Sequence, residues 1–325
     1  MSKRLRESRE VIEYSNSSRL RQNSEYYEWR TGSGRSPMAN MIHLEEKKGV
    51  AMVYLNRPEA YNAFDLDMVQ RLSETLITLA LDRNIAGVVI SGKGHAFCAG
   101  GDLRWVNNHA DSAKVANATS RLRQSGYDGR AAGKDSLSEA FHELAARFHQ
   151  AIIEIRRMPK PVVAAVNGLA AGGGFSLVLS CDFRVMATSA ILKQGYTSNG
   201  LSIDGGGSFI LPRLVGAARA LEIAAFDRPI SAEKALKWGL VTEMVDDGQT
   251  VETAFELVCK LKKRSLDSFA ASKKLITDSF NTSFETHLEN ERNLLSFVAG
   301  QPNGVEGVTA FLEKRPPVFE APSGK

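Results

Sequence analysis

Residues 160–182, KPVVAAVNGLAAGGGFSLVLSCD, constrain the fold more than any other stretch. The apolar run Val162, Val163, Ala164, Ala165 and Val166 reads as a strand covered on both faces. It empties into three glycines that open a second apolar segment, read as a buried helix. Gly172, Gly173 and Gly174 let backbone N–H groups approach a partner closely at a helix N-terminus, which makes the turn a candidate anion site. The competing reading is that the glycines only ease the packing of helix on sheet. A second stretch, 87–104, GVVISGKGHAFCAGGDLR, repeats the grammar of apolar strand, glycine-bearing turn and amphipathic segment. If each turn contributes one backbone N–H, the pair forms an oxyanion hole, as needed when a carbonyl oxygen gains negative charge.

HAFCAGGDL, KPVVAAVNGLAAGGGFSL and SIDGGGSFILPRLVGAARALEIAAFDRPISAEKALKWGLV, in that order and spacing, resemble the crotonase (enoyl-CoA hydratase/isomerase) superfamily across residues 41–319. The resemblance implies an α/β fold: a crotonase-type superhelix of repeated strand–strand–helix (ββα) units with a helical C-terminal trimerisation region. It divides the chain into a basic extension (1–40), a core (41–250) and C-terminal helices (251–325). The implied partner is an acyl-CoA substrate, with no metal or other cofactor because coenzyme A is part of the substrate. The implied assembly is a homotrimer or a hexamer. Matched residue by residue, the two N–H donors are Gly101 and Gly173. Ala99, Asp102 and Leu103 flank the first turn, Arg57 and Ala60 lie in the loop that wraps the CoA nucleotide, and Lys314 lies near a CoA site with Phe311.

One departure bears on the reaction. A hydratase of this family uses two glutamates, one just after the GGG turn and one about twenty residues on, to activate and deliver water. Here Ser176 and Tyr196 stand at those positions, and neither can serve as a carboxylate base. Asp204 in SIDGGGS is the carboxylate that remains, at a place where some family isomerases and a dehalogenase also put an aspartate. It reads either as a base or as a cap for the turn before GGGSF. Tyr196 either donates a hydrogen bond to a polar acyl chain or fills the space of a glutamate. The expectation is an enoyl-CoA double-bond isomerase. The alternatives are hydration of an unusual acyl group and a non-catalytic member that binds CoA esters or RNA.

Composition narrows the rest. The chain has 325 residues, 43% hydrophobic and 24% charged, and a net charge of +4. Residues 1–40 hold eight basic and five acidic residues, which leaves 33 basic against 32 acidic over the other 285. A body this neutral does not look like a nucleic-acid surface, which needs clustered Lys and Arg. The first 40 residues lack an apolar period and read as a mobile extension, with Met38 or Met41 open as the native start. Their five glutamates speak against an organelle-targeting leader, and no apolar segment suggests secretion or a membrane span, so a cytoplasmic location is expected. Cys98, Cys181 and Cys259 are far apart and lack metal-ligand spacing.

Periodicity supplies further elements. A hairpin is expected over 42–55, broken at Lys48-Gly49, and a helix over 64–81 with Asp65 and Asp67 in its first turn. Residues 105–136 lose their regularity. Further helices are expected over 137–157, 219–226, 231–238, 253–263 and 284–298, and a strand over 183–187. His142 and His149, seven apart on one helical face, are too few ligands for a metal and read as partly buried or exposed polar positions.

Overall fold

The computed structural model describes residues 41–115 and 135–319. The expected N-terminal extension and most of the irregular segment before residue 137 lie outside them. The hairpin forms where the alternation places it: β1 (Ile42–Lys47) pairs antiparallel with β2 (Val50–Leu55), and Lys48 and Gly49 adopt left-handed backbone at the turn. A single 3₁₀ turn at Pro58–Ala60 leads to α1 (Leu66–Leu81). This helix starts two residues later than the apolar period suggests because Asp65 stays extended and caps it. Its carboxylate accepts the Met68 N–H at 2.8 Å, a contact worth about 1 kcal/mol.

The chain then runs through one unit three times. The first is β3 (Gly87–Gly92), β4 (Ala96–Cys98) and α2 (Leu103–Val115). After the long α3 (Asp135–Arg157) comes β5 (Val162–Val166), β6 (Leu169–Ala171) and α4 (Gly173–Ser180). The third is β7 (Phe183–Ala187), β8 (Ile191–Lys193) and α5 (Gly207–Phe226). Next come β9 (Ile230–Ser231), α6 (Ala232–Lys237), β10 (Glu243–Val245) and α7 (Thr250–Leu261). The helices α8 (Leu266–Asp278), α9 (Phe284–Ala299) and α10 (Pro302–Leu312) follow. First strands of the units join one six-stranded sheet, ordered β1-β2-β3-β5-β7-β10, and second strands join a four-stranded sheet, β4-β6-β8-β9. Each unit therefore steps from one sheet to the other, and the turn after its second strand falls at a common edge.

Both faces of the larger sheet are covered, which is why its strands are apolar without alternation. Val88, Ile90, Val162, Ala164 and Val166 point into the main core with α1, α3 and α4, while Val89, Val163, Ala165 and Val185 pack on Ala254, Phe255 and Val258 of α7. α8 is tied to this body by a buried lysine: Lys273 Nζ donates to Ile155 O at 2.8 Å, Lys160 O at 3.2 Å and Asp182 Oδ2 at 2.7 Å.

Two elements differ from the sequence reading. β6 is three residues with Leu169 outward, too short to show a period. The helix expected over 219–226 is the second piece of α5: non-helical Gly216 (φ 78°, ψ 159°) separates it from an additional helical piece that starts at Gly207.

Candidate active site

The first glycine turn is held by the loop that precedes α1. Asn62 is fully buried and donates to Lys93 O and Ala96 O at 2.9 and 2.8 Å, while its Oδ1 takes the Arg57 N–H. Ala99 N–H donates to Tyr61 O, Phe64 N–H to Gly100 O at 2.7 Å, and Asp102 N–H to Phe64 O at 2.8 Å. This parallel bridge uses the groups on either side of Gly101 and turns the Gly101 N–H away from Phe64. Ala60 closes the 3₁₀ turn on Arg57 O, and Leu103 is the first, exposed residue of α2.

Arg57 does not reach outward. Its guanidinium lies 3.0 Å from Asp65 Oδ2, 3.0 Å from Asp102 Oδ2 and 2.6 Å from Ala63 O. The other oxygen of Asp102 accepts the N–H groups of Arg104 and Trp105 and starts α2. Arg57 thus clamps its own loop, the α1 cap and the first turn into one piece.

The second turn meets the first directly. Gly172 has φ 52° and donates its N–H to Lys193 O, and Gly173 opens α4 with no side-chain cap. A Cβ added at Gly100, which has φ 94°, would stand 3.0 Å from Gly173 N and 2.8 Å from Ala171 O. Among the described residues, no acceptor takes the N–H of Gly101 or of Gly173. The two donors lie on abutting turns, and the positive end of α4 adds to the field at Gly173. Phe64 and Phe148, with ring centroids 4.9 Å apart, wall this place, and a Cβ at Gly173 would meet both rings at 3.2–3.5 Å. Leu144 faces Gly101.

Ser176, Tyr196 and Asp204 come together beside Gly173. Ser176 Oγ lies 3.5 Å from Tyr196 Oη and donates to Asp204 O at 2.6 Å. Both hydroxyl residues are buried, and burial pushes the Tyr196 phenol well above its usual range, so it is a neutral donor. Gln194 shapes this turn by accepting the Tyr196 and Thr197 N–H groups. The Asp204 carboxylate is partly exposed. Its Oδ1 accepts the Gly205 N–H and contacts His149 Nε2, while Oδ2 has no partner among the described residues. His149 is the residue that sequence reasoning missed as a site member. It stands 55 positions from its partner, and its only signal was a place on the α3 face next to Phe148. Cys98 packs beneath the turns, its thiol pushed up to about 12 by burial, so it is no nucleophile. Lys314 follows α10 in left-handed backbone, bonded through its N–H to Phe311 O, and is not joined to the glycine turns within this chain.

Two sheets joined by ββα units bring the Gly101 and Gly173 turns against each other, with N–H groups that no described residue accepts, and the Asp204 loop packs on the same Phe148 ring as Gly173. The comparisons place that architecture. The family model described as Enoyl-CoA hydratase/isomerase matches residues 45–322. The 1,2-epoxyphenylacetyl-CoA isomerase of Escherichia coli K12 is 33% identical over 282 residues, 87% of this chain and 99% of the relative. The crystal structure of an enoyl-CoA hydratase from Polaromonas sp. JS666 superposes with a TM-score of 0.73 at 32% identity, covering 86% of this chain and 99% of that one. An enoyl-CoA hydratase structure from Bacillus anthracis gives a TM-score of 0.72 at 28% identity, over 86% and 99% of the two chains. The chain belongs to the enoyl-CoA hydratase/isomerase family and has the crotonase-type fold.

Proposed function

We propose that this protein is an enzyme acting on acyl-CoA thioesters through an enolate, and that its reaction is a double-bond shift in an enoyl-CoA. Gly101 and Gly173 donate to the thioester oxygen as it gains charge, a contribution on the order of 10²–10³ in rate per donor. Asp204 Oδ2 takes the proton from the carbon next to the growing enolate. The C–H electron pair passes into the enolate, and the same carboxyl returns the proton two carbons away, so no net atom is gained or lost. One carboxylate suffices because base and acid act in sequence.

The observation that carries this reading is the wall of the site. Ser176 and the neutral Tyr196 pack against each other, and the nearby carboxylate is Asp204, with one oxygen free. The relatives' names cover both isomerase and hydratase, and addition of water to an unusual acyl group is the second reading. His149 favours it to the extent that it supplies a second polar group next to Asp204. Asp204→Asn, assayed with 3-enoyl-CoA, is expected to lower turnover at least about 10²-fold, the scale of lost general acid–base catalysis, while CoA-ester binding persists. Near-normal isomerisation by that variant would remove Asp204 from the mechanism.

The assembly we propose is a homotrimer or a dimer of trimers. Ile276, Phe284, Leu295, Phe311 and Leu312 are each at least 70% exposed on α8–α10, and large apolar side chains left in water on three successive helices support an interface there. A neighbouring copy covering it would place Lys314 where it can serve another subunit's ligand. Sedimentation of a monomer at micromolar concentration would end this reading.

A further inference from the structure

We propose that His149 is the positioning residue of the Asp204 carboxylate, an inference that rests on Asp204 as the base. α3 is seated on the loop that carries Asp204 through Phe148: a Cβ added at Gly205 would stand 2.3 Å from Phe148 Cε1. Such close seating fixes the next residue, His149, at the edge of the helix, and its Nε2 meets Asp204 Oδ1. A carboxylate only accepts, so this nitrogen carries the proton and donates it.

The aspartate is held by four donors, two on its carbonyl and two on Oδ1. Ser176 Oγ and the Gly207 N–H fix its carbonyl at 2.6 and 3.1 Å, the Gly205 N–H fixes Oδ1 from within the loop, and His149 fixes Oδ1 from the facing helix. With Oδ1 occupied twice, Oδ2 is the oxygen left for the substrate's carbon, and rotation about the carboxyl bond is stopped. A base must stand within hydrogen-bond reach of the proton it takes, and small misplacements are costly in rate. His149 touches the reacting atoms only through Asp204. Its side chain is 49% exposed, so its removal leaves little packing undone.

The test is steady-state kinetics on 3-enoyl-CoA with H149L, H149Q, H149N, D204N and the double variant D204N/H149L. A hydrogen bond to a charged group carries about 10- to 100-fold, so H149L is expected to lose that much in kcat with KM within about twofold of the parent. The Gln amide reaches about as far as Nε2 and restores kcat to within about fivefold. The shorter Asn does not, and it stays as slow as H149L. In the D204N background the histidine has nothing left to position, so the double variant is no slower than D204N. H149L or H149N at near-parental kcat, or a further loss in the double variant equal to that of H149L alone, would overturn the proposal. A fully active D204N would instead overturn the base assignment, so the two failures are distinguishable.

Discussion

Gly100→Ala tests whether the abutting glycine turns form the working centre. Gly100 has φ 94°, where an L-residue costs about 1–2 kcal/mol. Its new Cβ would stand 2.8 Å from Ala171 O, 3.0 Å from Gly173 N and 3.2 Å from Gly172 Cα, against about 3.5 Å for an ordinary contact. All three neighbours are backbone, so the β6–α4 junction must retreat by about half an ångström and carry the Gly173 donor with it. A displacement of 1 Å can cost about 10²-fold in rate, so the expected loss is at least about 10-fold in kcat. The added destabilisation is about 2–3 kcal/mol, from backbone strain plus overlap. Gly239→Ala is the control, since Gly239 has φ 73° with nothing within 4 Å of its added Cβ. It should cost about 1 kcal/mol in urea denaturation and nothing in kcat. Gly100→Ala that is destabilised like the control yet turns over like the parent would refute the contact between the two turns as a catalytic feature.

Lys273→Met should destabilise by about 3–5 kcal/mol, because it leaves the Asp182 carboxylate buried beside the ends of α3 and α4 without its cation. Loss of less than 1 kcal/mol in chemical denaturation would show that α8 is not tied on by this pair. Burial raises Cys98 and Cys181 from 9.0 to about 12 and raises Tyr196 above 10.0. The folded values exceed the unfolded ones, so the stability these groups supply is full below about pH 9 and is lost as pH climbs towards 12. Melting temperatures should fall through that window, and at pH 8 a thiol reagent should modify at most one cysteine per folded chain but all three once unfolded. Rapid native labelling of Cys98 would contradict its burial.

The fold was legible where hydrophobic burial writes a long period. The doubly covered β5, the helix α3 and the hairpin β1–β2 all bury rows of apolar side chains that a sequence shows directly. β6 left no such mark because three residues with one side chain outward carry no period. The break in α5 at Gly216 was hidden by apolar residues on both sides of it. At the site, the glycines announced the close approach that a backbone oxyanion hole needs. The partners of Arg57, Asp65 and Asp102, 8 and 45 positions away, could not be read from spacing. His149 and Asp204 meet only because Phe148 seats α3 on Gly205, a packing relation between segments 55 residues apart.

The central claim is that an oxyanion hole and a single carboxylate perform a double-bond shift, and product analysis in D₂O tests it most directly. Purified protein is incubated with 3-enoyl-CoA and separately with 2-enoyl-CoA of the same chain length, and the products are followed by mass and NMR. The account predicts that both reach the same mixture of the two enoyl esters, with any deuterium at the carbons next to the thioester and two beyond it, and that Asp204→Asn abolishes the exchange along with the shift. Formation of 3-hydroxyacyl-CoA faster than the double bond moves would contradict it.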